Sequence, residues 1–205
     1  MDTVKPKFIP RSQATRQVII EKTATIFNKK GYVGTSLSDL TAATQLTKGS
    51  IYGNFENKEE VALEAFRFNF QELGKRITAY VSREKSPIEQ LFAFTRFYRE
   101  DFAIMKYLGG CPLLNAGTDS DDTNESLRRE VVNAFEITLG IIGGLIEAGR
   151  ASKDLRSDIS GIKYSMLFFS LIEGSILLSK TTNKKSYLFE ACDRIDKITR
   201  EELIS

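Results

Sequence analysis

The run Thr35–Phe55, TSLSDLTAATQLTKGSIYGNF, reads as two short helices with a break between them. Ser36 can accept from the first-turn amides while Asp39 reaches back to the serine N–H, a reciprocal cap that starts a helix. Leu37, Leu40 and Ala43 then line one side of it. Polar Thr44 and Gln45 break the pattern, Leu46 resumes it, and Thr47 is placed to cap a second helix predicted over Lys48–Phe55. Two helices of about eight residues, three or four residues apart, make a helix-turn-helix candidate. Such a unit needs a small residue where the helices cross, a residue able to turn four positions later, and an apolar lock six positions further on. Thr41, Gln45 and Ile51 stand at those places. Leu46, Ile51 and Phe55 would face inward, leaving Lys48, Gly49, Ser50 and Asn54 toward a major groove, which admits one helix. Gly49 lets the backbone approach closely.

Upstream, Ile19, Ile20, Thr23, Ile26, Phe27 and Lys30 recur at three- and four-residue steps after Ser12, which predicts a helix ending at Gly31. Residues 1–10 carry Pro6, Pro10 and two lysines without periodicity and read as a mobile basic arm. Downstream, a long Phe-rich helix is expected from Lys58 to Val81, so the pattern breaks at Asn57. Further helices are expected over Ser86–Met105, from Leu113, over Glu125–Ala148 with Gly149 ending it, over Ser160–Lys180, and around Leu188–Ile198. Thr118–Asn124 reads as a polar loop and Ala151–Ile159 as a linker. The helix over Ser160–Lys180 is apolar nearly all round, so it needs burial on more than one side. No long strand-like alternation and no internal repeat interrupts this all-α reading.

Charge is unevenly placed. Residues 1–58 hold nine Lys or Arg against four acids, a net of +5, and the other 147 residues carry −3 to give the chain's +2. A basic end on a mildly acidic body is the footprint of a partner rich in phosphates. Cys111 and Cys192 stand far apart in a chain without histidine, so neither a disulfide framework nor a Cys/His zinc site is indicated. Without histidine there is no imidazole base, and no phosphate-cradling glycine motif occurs, so no catalysis, cofactor or metal is expected. Asp119, Asp121 and Asp122 lack the glycine and distal glutamate of a calcium loop. No secretory signal is visible, and Ser165–Leu178, interrupted by Glu173, is shorter than the roughly 20 residues of a membrane helix. A cytoplasmic chain is expected.

The segment from Phe27 through Gly31, Tyr32, Thr35 and Ser36 to Lys48, Gly49, Ile51, Tyr52, Phe55 and Lys58 resembles the tetracycline-repressor (TetR) family of bacterial regulators. The chain departs from the family where Thr23, Thr41 and Thr44 replace alanine and Gln45 replaces glycine. The resemblance implies a three-helix DNA-binding domain over 11–57 and a larger antiparallel helical domain over 58–205 for effector binding and dimerisation. It implies phosphate contacts by Thr35, Ser36, Tyr52 and Lys58, beside readout by Lys48, Gly49, Ser50 and Asn54, with Thr47 at the head of the reading helix. A homodimer on double-stranded operator DNA, commonly a repressor released by a small molecule, is the implied assembly. Ile172-Glu173-Gly174 resembles the family's next-to-last helix, which pairs with the last in a four-helix dimer interface. Phe169, Ile172, Gly174, Ile176 and Ile195 are the candidates there.

Aromatic residues beyond residue 60 exceed what the apparent helix faces need, so a mostly apolar effector pocket is expected. Its candidates are Phe94, Tyr98, Phe102, Cys111, Asn115, Phe135, Tyr164 and Phe168. Each polar member also reads as an ordinary core or loop residue. The competing function is a helical interaction or dimerisation module that binds no DNA; Lys48, Tyr52 and Lys58 argue against it.

Overall fold

A computed structural model of the chain describes residues 11–204, and the arm expected over 1–10 lies outside them. The helices are α1 Arg11–Gly34, α2 Leu37–Thr44, α3 Lys48–Tyr52, α4 Lys58–Val81, α5 Pro87–Tyr107, α6 Pro112–Ser120, α7 Glu125–Ala151, α8 Gly161–Thr182 and α9 Ser186–Ile198, with a π turn over Thr199–Leu203. No strand forms among the described residues. The chain divides into two compact units between Asn69 and Phe70, inside α4, whereas the pattern break at Asn57 coincides with that helix's start.

The first unit closes over Ile19, Ala24 and Phe27 of α1, Leu40 of α2, Ile51 of α3, Phe55, and Val61 and Ala65 of α4. Each large apolar side chain buried this way contributes roughly 1.5–3 kcal/mol. Within α1, Gly31 leaves helical geometry at φ 73°, so the chain turns where the sequence predicted an end. The threonines that replace alanine find partners within their own helices. Thr23 donates to Ile19 O at 2.7 Å, Thr41 to Ser38 O at 3.1 Å and Thr44 to Leu40 O at 2.7 Å. Thr44 Oγ1 also accepts from Leu46 N at 3.3 Å, tying the turn to the helix before it.

Gln45 takes the left-handed conformation, φ 58° and ψ 28°, with its N–H bonded to Thr41 O at 2.8 Å. The turn thus keeps a geometry natural to glycine, and a side chain there costs roughly 1–2 kcal/mol. Gln45→Gly removes that strain while adding freedom to the unfolded chain. It is expected to stabilise the first unit by up to about 1 kcal/mol, read as a higher urea midpoint at unchanged slope. A lower midpoint would contradict the strain.

In the second unit α7 and α8 lie side by side, α8 on α9, α5 against α7 and α9, and α6 on α7. Ser86 caps α5 through Glu89 N at 3.2 Å, with Pro87 in the first turn where its missing N–H is harmless. The polar stretch from Thr118 is not all loop: α6 continues to Ser120, and Asn124 then caps α7 through Leu127 N at 2.9 Å. Gly149 does not end α7. It lies inside the helix, and Leu155 packs 2.6 Å from where a Cβ would be, which leaves room for glycine alone. The linker is therefore pinned, with Leu155 2% exposed, bridged to Ile204, and Arg156 N bonded to Leu203 O at 2.8 Å.

α8 has two faces. Phe168, Phe169, Ile172, Ser175, Ile176 and Ser179 are buried within the unit, whereas Met166, Leu167, Leu177 and Leu178 are 42–54% exposed. By length and composition alone α7 and α8 are long and apolar enough to cross a membrane, a test that the core helix of a soluble fold also passes.

Candidate nucleic-acid interface and buried cavity

Both helices of the helix-turn-helix are capped as the sequence predicts. Ser36 Oγ accepts from Asp39 N at 3.1 Å, and Asp39 Oδ2 accepts from Ser36 N at 2.9 Å. Lys30 Nζ bonds Asp39 at 2.6 Å, and this contact together with Ser36 holds the carboxyl down at about 2. Thr47 Oγ1 accepts from Ser50 N at 3.2 Å at the head of α3. As a helix α3 is shorter than expected, ending at Tyr52, although Phe55 N still bonds Ile51 O at 3.1 Å and continues the coil. Ile51 is wholly buried and fastens the segment to the core, and Tyr52 packs partly on the same core.

The outward surface comprises Ser36 together with Gln45, Thr47, Lys48 and Gly49, all exposed, and Ser50 half-buried. Gln45 was not foreseen there. Three expected contact residues are engaged inside the chain instead. Thr35 is 0% exposed and its hydroxyl donates to Gly31 O at 2.7 Å, so its side chain serves the bend after α1 rather than a phosphate. The Asn54 amide donates to Ser50 O at 2.8 Å, closing the end of α3. Lys58 Nζ donates to Tyr32 O at 2.8 Å and Thr35 O at 2.9 Å and lies 4.3 Å from the Tyr32 ring centroid. An ammonium has three donors, so one remains for an outside acceptor.

Arg16, which no pattern in the sequence marks, binds the other side of the segment. It donates to Asn54 O at 2.6 Å and Glu60 Oε1 at 2.7 Å and stacks 4.1 Å from the Phe55 ring centroid. Glu60 accepts from Glu56 N at 2.6 Å, and these bonds keep its carboxyl below the usual range. No helical periodicity marks a half-buried arginine, so this clamp was invisible in the sequence.

The second unit contains a cavity with ≈ 90 Å³ of room for the centres of water-sized spheres, where one ordered water needs on the order of 10–15 Å³. Its walls come from α4 (Leu73, Gly74, Ile77), α5, α6, α7 (Ile142, Leu145) and α8. Phe94, Tyr98 and Cys111 line it as expected. Phe102, Asn115, Phe135, Tyr164 and Phe168 are not among its wall residues, and the last four are engaged elsewhere. Phe102 is half-buried on another part of α5. The Asn115 amide donates to Gly109 O at 2.8 Å. Phe135 meets Phe169 edge to face at 5.8 Å, and Tyr164 donates to Glu202 at 3.1 Å with its ring against the buried Phe168. The unforeseen wall residue is Glu173. Its Oε1 accepts from Cys111 Sγ at 3.1 Å while Oε2 is buried without a partner. The sequence signal was a lone carboxylate within an apolar helix.

The dimer candidates need correction. Phe169, Ile172, Ile176 and Ile195 are at most 7% exposed inside their own protomer and cannot face a second one. Gly174 does face outward, and a Cβ there would meet nothing within 4 Å.

A capped helix pair with an exposed basic end, followed by an all-helical unit with a cavity, defines a helix-turn-helix protein in outline. Comparison agrees with that outline. The family model of bacterial regulatory proteins, tetR family, matches residues 19–65, and that of the tetracyclin repressor-like C-terminal domain matches residues 87–195. The structure is similar to a TetR-family transcriptional regulator from Cytophaga hutchinsonii, 37% identical over 97% of this chain and 100% of that one, with TM-score 0.92. It is also similar to a TetR transcriptional regulator from Chloroflexus aurantiacus, 30% identical over 96% and 99%, with TM-score 0.90. The HTH-type transcriptional repressor DhaR of Mycobacterium sp. is 25% identical, covering 84% of this chain and 86% of that protein. The chain belongs to the TetR family of DNA-binding transcriptional regulators.

Proposed function

We propose that the chain is a cytoplasmic homodimeric repressor whose two helix-turn-helix units enter successive major grooves of an operator, and that a small ligand in the cavity releases it. The observation that carries the DNA reading is the exposed run Thr47-Lys48-Gly49 at the head of α3, on a segment whose Ile51 is wholly buried. Lys48 and Ser50 are assigned to base edges or adjacent phosphates, Gly49 to close backbone approach, and Ser36, Thr47 and Tyr52 to phosphates. Thr35 and Asn54 are positioning residues, and Lys58 positions the Tyr32–Thr35 turn with one donor left for a phosphate. A second copy is assigned to the stripe Met166, Leu167, Gly174, Leu177 and Leu178, which recurs at helical spacing along the outer face of α8.

Fluorescence anisotropy with duplexes from the chain's own upstream region tests this. Lys48→Ala should weaken binding about tenfold and flatten its salt dependence by about one counterion, with stability unchanged. Lys58→Ala should lower both affinity and the stability of the first unit. If Lys48→Ala changes neither affinity nor salt slope, the interface is misplaced. Release follows if a ligand binds the DNA-free dimer better, with a coupling of roughly 1–3 kcal/mol, the usual scale of allosteric coupling.

A further inference from the structure

Glu173 is 8% exposed and lies on the wall of a cavity whose other polar side chains are few. Thr138 donates to Ala134 O at 2.8 Å and is thereby satisfied. Cys111, 1% exposed, gives its one donor to Glu173 Oε1 at 3.1 Å. Among the described residues no lysine or arginine lines the wall and Oε2 has no partner, so nothing described there balances a carboxylate. An unpaired buried acceptor costs roughly 1–3 kcal/mol, more when charged. Apart from Thr78 and the Tyr98 hydroxyl, the remainder of the wall is aliphatic and aromatic, drawn from Phe70, Leu73, Ile77, Phe94, Leu145 and Phe169 among others. A ligand that fits must therefore be apolar over most of its surface and must bring a hydrogen-bond donor to one end.

We propose that this cavity selects a small lipophilic amine in its protonated form, with the ammonium bonded to Glu173 Oε2 and the hydrocarbon body on the aromatic and aliphatic wall. The inference rests on reading the cavity as an effector site and names the ligand class that site would take. The cation supplies both the missing donor and the missing positive charge, whereas a neutral alcohol supplies only a donor and a carboxylic acid meets repulsion. Burial pushes the Glu173 carboxyl up to about 7, against the opposing bond from Cys111, so the group ionises readily once a cation arrives. The Cys111 thiol and the Tyr98 phenol are driven well above their ordinary values by burial and stay neutral, so neither competes for the ammonium as an anion or reacts as a thiolate.

Titration calorimetry of the full chain with benzylamine, benzyl alcohol and benzoate at about pH 8 separates the possibilities. Benzylamine should bind at least ten times more tightly than benzyl alcohol, and benzoate should not bind. Glu173→Gln should erase the preference for the amine while keeping or improving benzyl alcohol binding. Gly74→Phe, which adds a ring at a wall position where a Cβ meets nothing within 4 Å, should abolish binding of both. Equal or tighter binding of benzyl alcohol by the unaltered chain, or an amine preference that survives Glu173→Gln, would overturn the assignment while leaving the effector-site reading intact. If none of the three binds, both fail. If the amine binds through Glu173 but DNA affinity stays the same, ligand class stands and release by this cavity fails.

Discussion

Leu167→Glu combined with Leu178→Glu is expected to convert the proposed dimer to monomer and to lower affinity for a full operator by on the order of 100-fold or more. A single helix-turn-helix contacts one half-site, and two-fold operators obtain affinity and specificity from both halves bound together. Leu167 and Leu178 are 42% and 48% exposed in the protomer, so a carboxylate at either position stays solvated when the chain is alone. Placed against a second copy, the same charges would be buried without partners, at a cost of several kcal/mol. Sedimentation should give the single-chain mass with helical content retained. Ile176→Glu is the contrasting variant, because Ile176 is 1% exposed and a charge there should unfold the second unit rather than free it. A double variant that remains dimeric and binds DNA normally would move the interface elsewhere.

Glu173→Gln is expected to stabilise the second unit by about 3 kcal/mol at pH 8 and hardly at all at pH 4. In the folded chain burial raises this carboxyl from 4.5 to about 7, so the fold favours its protonated form. Below the unfolded value the group is protonated in both states and contributes no pH-dependent term. As pH rises through the window from about 4.5 to about 7, the unfolded chain loses its proton first and stability falls. Above the folded value the full penalty is present. The groups facing it, Cys111 and Tyr98, are both shifted upward by burial and stay neutral across that window. Asp39, held down at about 2, and Asp101, raised by burial against the opposing charge of Arg76, are common to both proteins and cancel in the comparison. Thermal unfolding at the two pH values should therefore show a gap on the order of 10 °C at the higher pH that closes at the lower. A pH-independent gap would mean that Glu173 is not titrating in the fold.

Local patterns in the sequence carried the elements whose cause is local. The Ser36–Asp39 box, the Thr47 cap, Pro87 after Ser86 and the inward Leu40 and Ile51 each depend on residues within one turn, and each forms. Gln45 stands where the family has glycine, and the chain there takes the strained glycine-like conformation. What failed to be legible depends on distant partners. Whether Phe169 and Ile172 meet their own protomer or another is set by which face of α8 meets α7 and α9, and an all-round apolar helix does not reveal that. Aromatic abundance similarly could not separate rings that line a cavity, such as Phe94, from rings that fill space, such as Phe168. The intrachain bonds of Lys58 and Arg16 are not legible in local patterns because their partners are backbone carbonyls and acids more than 20 residues away.

Selection of duplexes from a random-sequence pool by the purified chain tests the central claim most directly. A dimeric reader should enrich one two-fold symmetric site whose half-sites are centred about 10 base pairs apart or a multiple of that. Glutamate at both Leu167 and Leu178 should abolish the enrichment. A pool that stays random, or an enriched site that is a single asymmetric half bound by one chain, would contradict the account.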